Sequence, residues 1–290
     1  MFHRSRLAPV LVVTAAVVAG AWPTAAFAAT QPRLGTALNF AAIAGSTITN
    51  TGPTVIKGNV ALSPGSAVTG FPPGISAVRN IADANAVKAK TDLVTAFTDA
   101  ASAPSTSNLT GKNLGGLNLT AGVYSFSSSA QLTGKLTLSG TGVFIFRIGS
   151  ALTTATASAV LLRNGAQACA VYWEVGSSAT LGSATQFQGN LMALTSITMV
   201  TGANIITGRA LARNGALTLD TNQITPPSGT CTAASTTRTA TPATPSTGAV
   251  APGSALPGLG ILATIVGGLM VLAGRRRPRL DGQSRCPPLG

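Results

Sequence analysis

From about residue 105 to residue 225 the chain alternates short apolar runs of three to five residues with Gly, Ser, Thr and Asn. Gly122-Val-Tyr-Ser-Phe126, Leu136-Thr-Leu138, Val143-Phe-Ile-Phe146 and Ala216-Leu-Thr-Leu219 are examples. Runs of this length, broken by small residues, predict an all-β fold. A repeat sharpens that prediction. Val171–Gly189, Asn190–Gly208 and the segment opening at Arg209 start at a spacing of 19 residues. Aligned, they set Gly189 over Gly208, place Thr180, Met199 and Thr218 in one column, and place Leu181, Val200 and Leu219 in the next. A period near 20 with small corner residues suits a β-solenoid, in which one coil cannot bury its apolar side alone and stacking makes the core. A β-sandwich is the competing architecture, and the fixed column register favours the solenoid.

One segment follows a different period. Val78, Ile81, Ala82, Ala86, Ala89, Leu93, Ala96, Phe97 and Ala100 recur at helical spacing. The pattern predicts a helix over 76–101 with Ser76 as N-cap and Pro104 beyond its end. Its length, nearly 40 Å at about 1.5 Å per residue, and its single apolar stripe would lay it along the flank of the solenoid.

Composition removes whole classes of chemistry. Only 9% of residues are charged and 4% aromatic. The one histidine is His3, in the first few residues, so a Ser-His-Asp triad, a Cys-His pair and a His-ligated metal site are excluded from the remainder. Glu174 and Asp220 could pose as a glycosidase pair, but they fall in different columns of the repeat, and the chain reads as no enzyme. The glycines read as corners, since no Gly-Lys-Ser/Thr phosphate loop follows them, and no cofactor is expected. Of the net charge of +13, Arg4 and Arg6 at one end and Arg275, Arg276, Arg277, Arg279 and Arg285, offset by Asp281, at the other account for +6. The remaining bases form no patch, which argues against nucleic acid.

Both ends read as addresses. Residues 1–28 have a basic start, an apolar run and Ala26-Phe27-Ala28, the layout of a secretory signal peptide. The β-helix domain is expected over 30–227, followed by a Thr/Ala/Pro/Ser-rich linker over 228–255. Residues 256–274 carry no charge and are long enough to span a bilayer. The basic tail, 275–290, would then sit inside. Leu256-Pro257-Gly258-Leu259-Gly260 departs from the Leu-Pro-x-Thr-Gly wall-sorting pattern, which favours a retained membrane anchor. In an oxidising compartment Cys169 and Cys231 are natural disulfide partners. Closing that loop would remove about 4 kcal/mol of unfolded-state entropy in the chain-entropy model.

Several short motifs, in order, resemble the bacterial and fungal ice-binding (antifreeze) proteins. They run from Leu34-Gly-Thr-Ala-Leu-Asn-Phe40 through Asn50-Thr-Gly-Pro-Thr54, Leu62-Ser-Pro-Gly-Ser66, Val68-Thr-Gly-Phe-Pro-Pro73, Leu119-Thr-Ala-Gly-Val-Tyr124 and Asn164-Gly-Ala-Gln-Ala-Cys169 to Gly208-Arg-Ala-Leu-Ala212 and Ala216-Leu-Thr-Leu-Asp220. The resemblance implies an irregular three-sided β-helix, an all-β solenoid with one long α-helix packed along its side. It also implies a flat ice-binding face marked by a loose motif: Thr, then Ala or Gly, any residue, then Thr or Asn. Thr201-Gly-Ala-Asn204 and Thr51-Gly-Pro-Thr54 fit this motif. Ser183-Ala-Thr-Gln186 and Thr156-Ala-Ser-Ala159 are degraded versions, and Thr221 holds the matching place in the last coil. The implied site is therefore Thr51, Thr54, Thr156, Ser183, Thr185, Thr201, Asn204 and Thr221, lined up on one side.

The reading that follows is a monomeric, surface-displayed protein that adsorbs to an ice crystal and is held to the cell membrane by its C-terminal helix, with no small-molecule substrate. Its rival is a non-catalytic spacer or adhesion module of the same fold without ice activity. Threonine in a solenoid can be simply a good strand former, so placement on a common face separates the two.

Overall fold

The structure, a computed structural model, describes residues 29–229. The expected signal peptide, residues 1–28, Cys231, most of the expected linker 228–255, the apolar segment 256–274 and the basic tail 275–290 lie outside these residues. Among the described residues no helix is long and apolar enough to cross a membrane.

The chain winds as a three-sided solenoid of parallel strands. One side is a seven-stranded sheet, in spatial order Ala130–Leu132, Leu152–Thr154, Ala179–Leu181, Ile197–Met199, Leu217–Asp220, Thr47–Thr51 and Ala67–Thr69. The other two sides share long strands that turn a corner. Gln186–Ala193 and Asn204–Ala212 each begin on one side and finish on the next. The bend falls at Gly189 (φ 105°) and Gly208 (φ 156°), which are register partners. A Cβ on Gly208 would come within 1.9 Å of the Gly189 carbonyl oxygen, so only glycine lets the corners stack.

The coils do not stack in chain order. Residues 40–81 make the coils at one end, yet they rest on the last coil of the chain through Ala42 beside Ala210, Thr49 beside Thr218 and Val55 beside Gln223. A helix, Ala84–Ser102, then carries the chain back along the stack, and Ser107–Asn108 starts the opposite end. Its 19 residues span about 28 Å. The strands it follows, from Arg79–Ile81 to Ser107–Asn108, take eight steps of about 4.8 Å. The few residues after the helix complete the return.

The helix is shorter than its periodicity predicts. Its N-cap is Asp83, whose carboxylate accepts from the Ala86 amide at 2.8 Å, and not Ser76. Ile75–Ser76 and Arg79–Ile81 are strands that pair with Val55–Ile56 and Asn59–Leu62. Val78 is 61% exposed and Ile81 packs on the solenoid core, so neither belongs to the helical stripe.

Two apolar layers follow. Inside the coils, Tyr124, Phe146, Trp173 and Phe187 stack in a row, with Phe146 and Trp173 only 4.0 Å apart between ring centres. Trp173 fills core, as its strand position suggests, and its indole donates to the Gln188 carbonyl. Outside the coils, Ala86, Ala89, Leu93, Ala96, Phe97 and Ala100 of the helix close over Ile43, Ala61, Val123, Ile145, Tyr172, Met192 and Leu211. Burying such a face at about 25 cal/mol per Å² holds the helix down. The N-terminal segment straps the helix from outside. Arg33 forms a two-pronged pair with Asp99 (2.9 and 3.0 Å), and Thr36 donates twice to Asp92. The helix thus occupies one of the three sides and leaves two open.

Candidate functional site

Every short strand of the seven-stranded side sends alternate residues in opposite directions. Leu152, Ala179, Leu181, Ile197, Met199, Leu217, Leu219 and Ile48 point into the core and are buried. The residues between them are Thr153, Thr180, Thr198, Thr218 and Thr49, and register pairing stacks them directly on one another. Thr69 extends the column past Thr49, and Gln131 stands at the other end. Six threonines therefore form one outward ladder at the strand spacing of about 4.8 Å. Within it the Thr49 hydroxyl donates to that of Thr218 at 3.4 Å.

A second column runs beside the ladder, at the corner where this side ends. It contains Thr156, Ser183, Thr201, Asp220 and Thr51, linked by the amide of each following residue: Ala157 to Ser183 (2.9 Å), Ala184 to Thr201, Gly202 to Asp220 and Thr221 to Thr51 (3.1 Å each). Those following residues, Ala157, Ala184, Gly202, Thr221 and Gly52, all have φ between 56° and 83°. The corner needs left-handed backbone at that place, which Gly52 and Gly202 adopt freely and which Ala157, Ala184 and Thr221 adopt against the ordinary preference of residues with a Cβ.

The structure thus divides the sequence-derived site. Thr51, Thr156, Ser183 and Thr201 share the corner column. Thr221 is exposed beside it, at the left-handed position, while Asp220 holds the register place of the first motif residue. Three assignments need correction. Thr185 is fully buried, bonded to Thr154 Oγ1 at 2.8 Å and to the Ala155 carbonyl, because the third motif position turns inward. Thr54 is also fully buried and accepts from the Asn222 amide; Pro53 inserts one extra residue and moves Thr54 into that inward row. Asn204 stands around the corner in register with Gln186, Gln223 and Val55, where it accepts from the Gln223 amide at 2.6 Å. None of the three lines the threonine side. Cys169 is half-buried before the strand Val171–Val175, and its expected partner Cys231 lies outside the described residues.

The ladder threonines Thr49, Thr69, Thr153, Thr180, Thr198 and Thr218 were absent from the sequence-derived site. A fixed 19-residue period set Met199 in the column of Thr180, whereas the true partner is Thr198, 18 residues on, followed by Thr218 at 20. The available signal was a threonine flanked by core-facing residues: Leu152-Thr-Thr154, Ala179-Thr-Leu181, Ile197-Thr-Met199 and Leu217-Thr-Leu219.

Charge is sparse here. Asp220 is the only charged residue in the two columns. Other unusual charges lie toward the helix. Burial pushes the Glu174 carboxyl up to about 7, opposed by the Arg147 charge. Burial likewise brings Lys90 down to about 8, helped by Arg213. Arg209 is buried, donating to Asn190 and to the Leu38 carbonyl. Glu174 faces the helix side and Asp220 the threonine corner, so they do not converge on one substrate. Among the described residues no three His, Cys, Asp or Glu side chains gather as for a metal.

Comparison with known proteins agrees with this architecture. Residues 42–225 match the family model described as ice-binding-like. An ice-binding protein of Nostoc sp. strain HG1 is 52% identical over 218 residues, covering 73% of this chain and 81% of that protein. One from Flavobacterium frigoris strain PS1 is 35% identical, covering 67% and 76%. Among solved structures, an ice-binding protein from an Antarctic biological consortium superposes with a TM-score of 0.66 at 47% identity, over 68% of this chain and 92% of the other. That of the Antarctic ascomycete Antarctomyces psychrotrophicus gives 0.65 at 39%, over 68% and 98%. A β-helix with a flanking helix, matched over most of its described length, places this chain in the ice-binding-like family.

Proposed function

We propose that the protein adsorbs to ice through its threonine side. The observation that carries the reading is the ladder of six threonines in strict register on a side the helix leaves open. Each threonine pairs a methyl, around which water orders, with a hydroxyl that bonds it. The β-branched side chain is stiff, so little entropy is lost when ice meets it. A row repeating at the strand spacing can template water in a lattice-like arrangement, and the corner column of Thr156, Ser183, Thr201 and Thr51 widens the row into an array. The relatives' names point the same way.

Display at the cell surface is the second half of the reading. The leader-like residues 1–28 send the domain outward, and the linker 228–255 with the apolar segment 256–274 holds it there. A Cys169–Cys231 disulfide pins the chain end to the coils. The decisive experiment is ice shaping and recrystallisation inhibition by the purified protein, with Thr198→Tyr at the centre of the ladder. Adsorption lost on this substitution, with melting unchanged, supports the reading. A wild-type protein that neither shapes ice nor slows recrystallisation leaves the spacer module in its place. Membrane fractionation tests the anchor, and mass spectrometry without reductant tests the disulfide.

A further inference from the structure

We propose that Asp220 is a positioning residue for the array, fixing the hydroxyls of Thr201 and Thr221 so that both turn their lone pairs to the first water layer. The inference rests on the ice-adsorption reading and deepens it.

The geometry is specific. Asp220 ends its strand in register with Thr51, in the column that elsewhere holds Thr156, Ser183 and Thr201. Its two carboxylate oxygens are divided: Oδ2 accepts from Thr201 Oγ1, and Oδ1 accepts from Thr221 Oγ1 at 3.1 Å. The backbone beneath is locked. The Asp220 amide donates to Asn222 Oδ1 at 2.6 Å, and the buried Asn222 amide group donates to the carbonyls of Val200 (3.0 Å) and Ala203 (2.8 Å).

A hydroxyl has one proton to donate and two lone pairs, while an ionised carboxylate only accepts. Both neighbouring hydroxyls therefore spend their proton on Asp220 and meet water as acceptors of known direction. Charge-assisted bonds are the stronger ones, so this direction is held. The same bonds occupy an acceptor site on each carboxylate oxygen, which tempers the strong, ill-oriented hydration of a bare charge. Along the ladder, by contrast, the Thr49 hydroxyl donates to the Thr218 hydroxyl at 3.4 Å, a longer bond between two neutral groups with no charge to hold it.

The test uses the full-length protein with Asp220→Asn, alone and in a Thr201→Val, Thr221→Val background. The asparagine amide has the same size but only one oxygen and no charge, so at least one of the two threonines loses the charge-assisted bond that holds its χ1. Two readouts are taken: uptake into growing ice, and the χ1 couplings of Thr201 and Thr221 by NMR in liquid solution. The single variant should lower ice uptake several-fold and break the single χ1 rotamer at one or both threonines, with unchanged melting. In the double-valine background the same change should add no further loss. Asp220→Thr, matching the rest of the column, covers the case in which the asparagine variant melts early, and it should lose the χ1 order too. Unchanged rotamers, or uptake equal to or above wild type in the single variant, would overturn the proposal. Wild-type protein that ignores ice while its rotamers respond to Asp220→Asn would sink the ice reading instead.

Discussion

Two sides of the solenoid are open, and they differ in one respect that matters. Both are built by the same coils at the same strand spacing, and both bury their inward residues. On one, the outward column is threonine at six successive strands. On the other, the column reads Lys135, Ala159, Gln186, Asn204, Gln223, Val55 and Ile75. The fold accepts either series, since strand-forming tendency is met by valine or isoleucine as readily as by threonine. Repetition of one side chain in register is therefore not a requirement of the stack. Under the proposed ice adsorption it answers to what meets that surface, and the mixed side is the internal control.

The largest expected effect separates both open sides from the covered one. Phe97→Ala removes the ring from beneath the helix and should lower stability by about 3–5 kcal/mol, measured by denaturant unfolding. Ice uptake well below the melting temperature should survive. If it vanished while the fold held, the helix side would be part of the ligand surface.

Next comes the direct contrast. Thr198→Tyr should hold ice off the neighbouring threonines and weaken ice uptake about tenfold, roughly 1.4 kcal/mol, because one bulky ring spoils contacts beyond its own. Thr137→Tyr, on the mixed side, should leave uptake unchanged. Equal losses would erase the distinction between the sides.

A smaller effect tests the buried motif threonines. Thr185→Val keeps the shape but breaks the bonds to Thr154 and Ala155. It should cost about 1 kcal/mol of stability and spare ice uptake. Strong loss of uptake without loss of stability would return Thr185 to the ligand surface.

The last effect depends on pH and concerns Glu174. Its folded-state pKa is raised to about 7 by burial, above its ordinary value near 4.5. The folded protein thus holds a proton that the unfolded chain releases, so this group's contribution is full below about pH 4.5 and fades as pH rises through 7. Glu174→Gln should raise the melting temperature at pH 8, do little at pH 4, and leave ice uptake alone. A melting curve that shows no such pH contrast would mean the carboxyl is more hydrated than its burial implies.

Much of the architecture was legible. The short apolar runs announced strands, Gly189 over Gly208 announced a corner, and Leu93 and Phe97 announced the helix. Residues whose neighbours are close in sequence could be read. What escaped depends on distant partners. Val78 and Ile81 keep helical spacing, yet the edge of Asn59–Leu62 recruits their segment as a strand. Thr54 and Thr185 carry the motif's chemistry, yet the corner turns them inward. The ladder escaped because its rungs are 27, 18 and 20 residues apart and because its last rungs come from the start of the chain.

That last property has a bearing on biosynthesis. Thr49 and Thr218 are adjacent in the ladder but 169 residues apart in the chain. The first coils emerge from the ribosome with no floor to stand on, and their apolar underside waits until the final coil arrives. Such long-range closure slows folding and leaves edges open meanwhile. An incomplete chain, stopped anywhere before residue 217, lacks the rung that joins the two halves. The continuous surface therefore exists only once the whole domain has been made: a chain stopped between residues 198 and 217 carries two short threonine fragments, Thr49 with Thr69 and Thr153 through Thr198, and an earlier stop carries less.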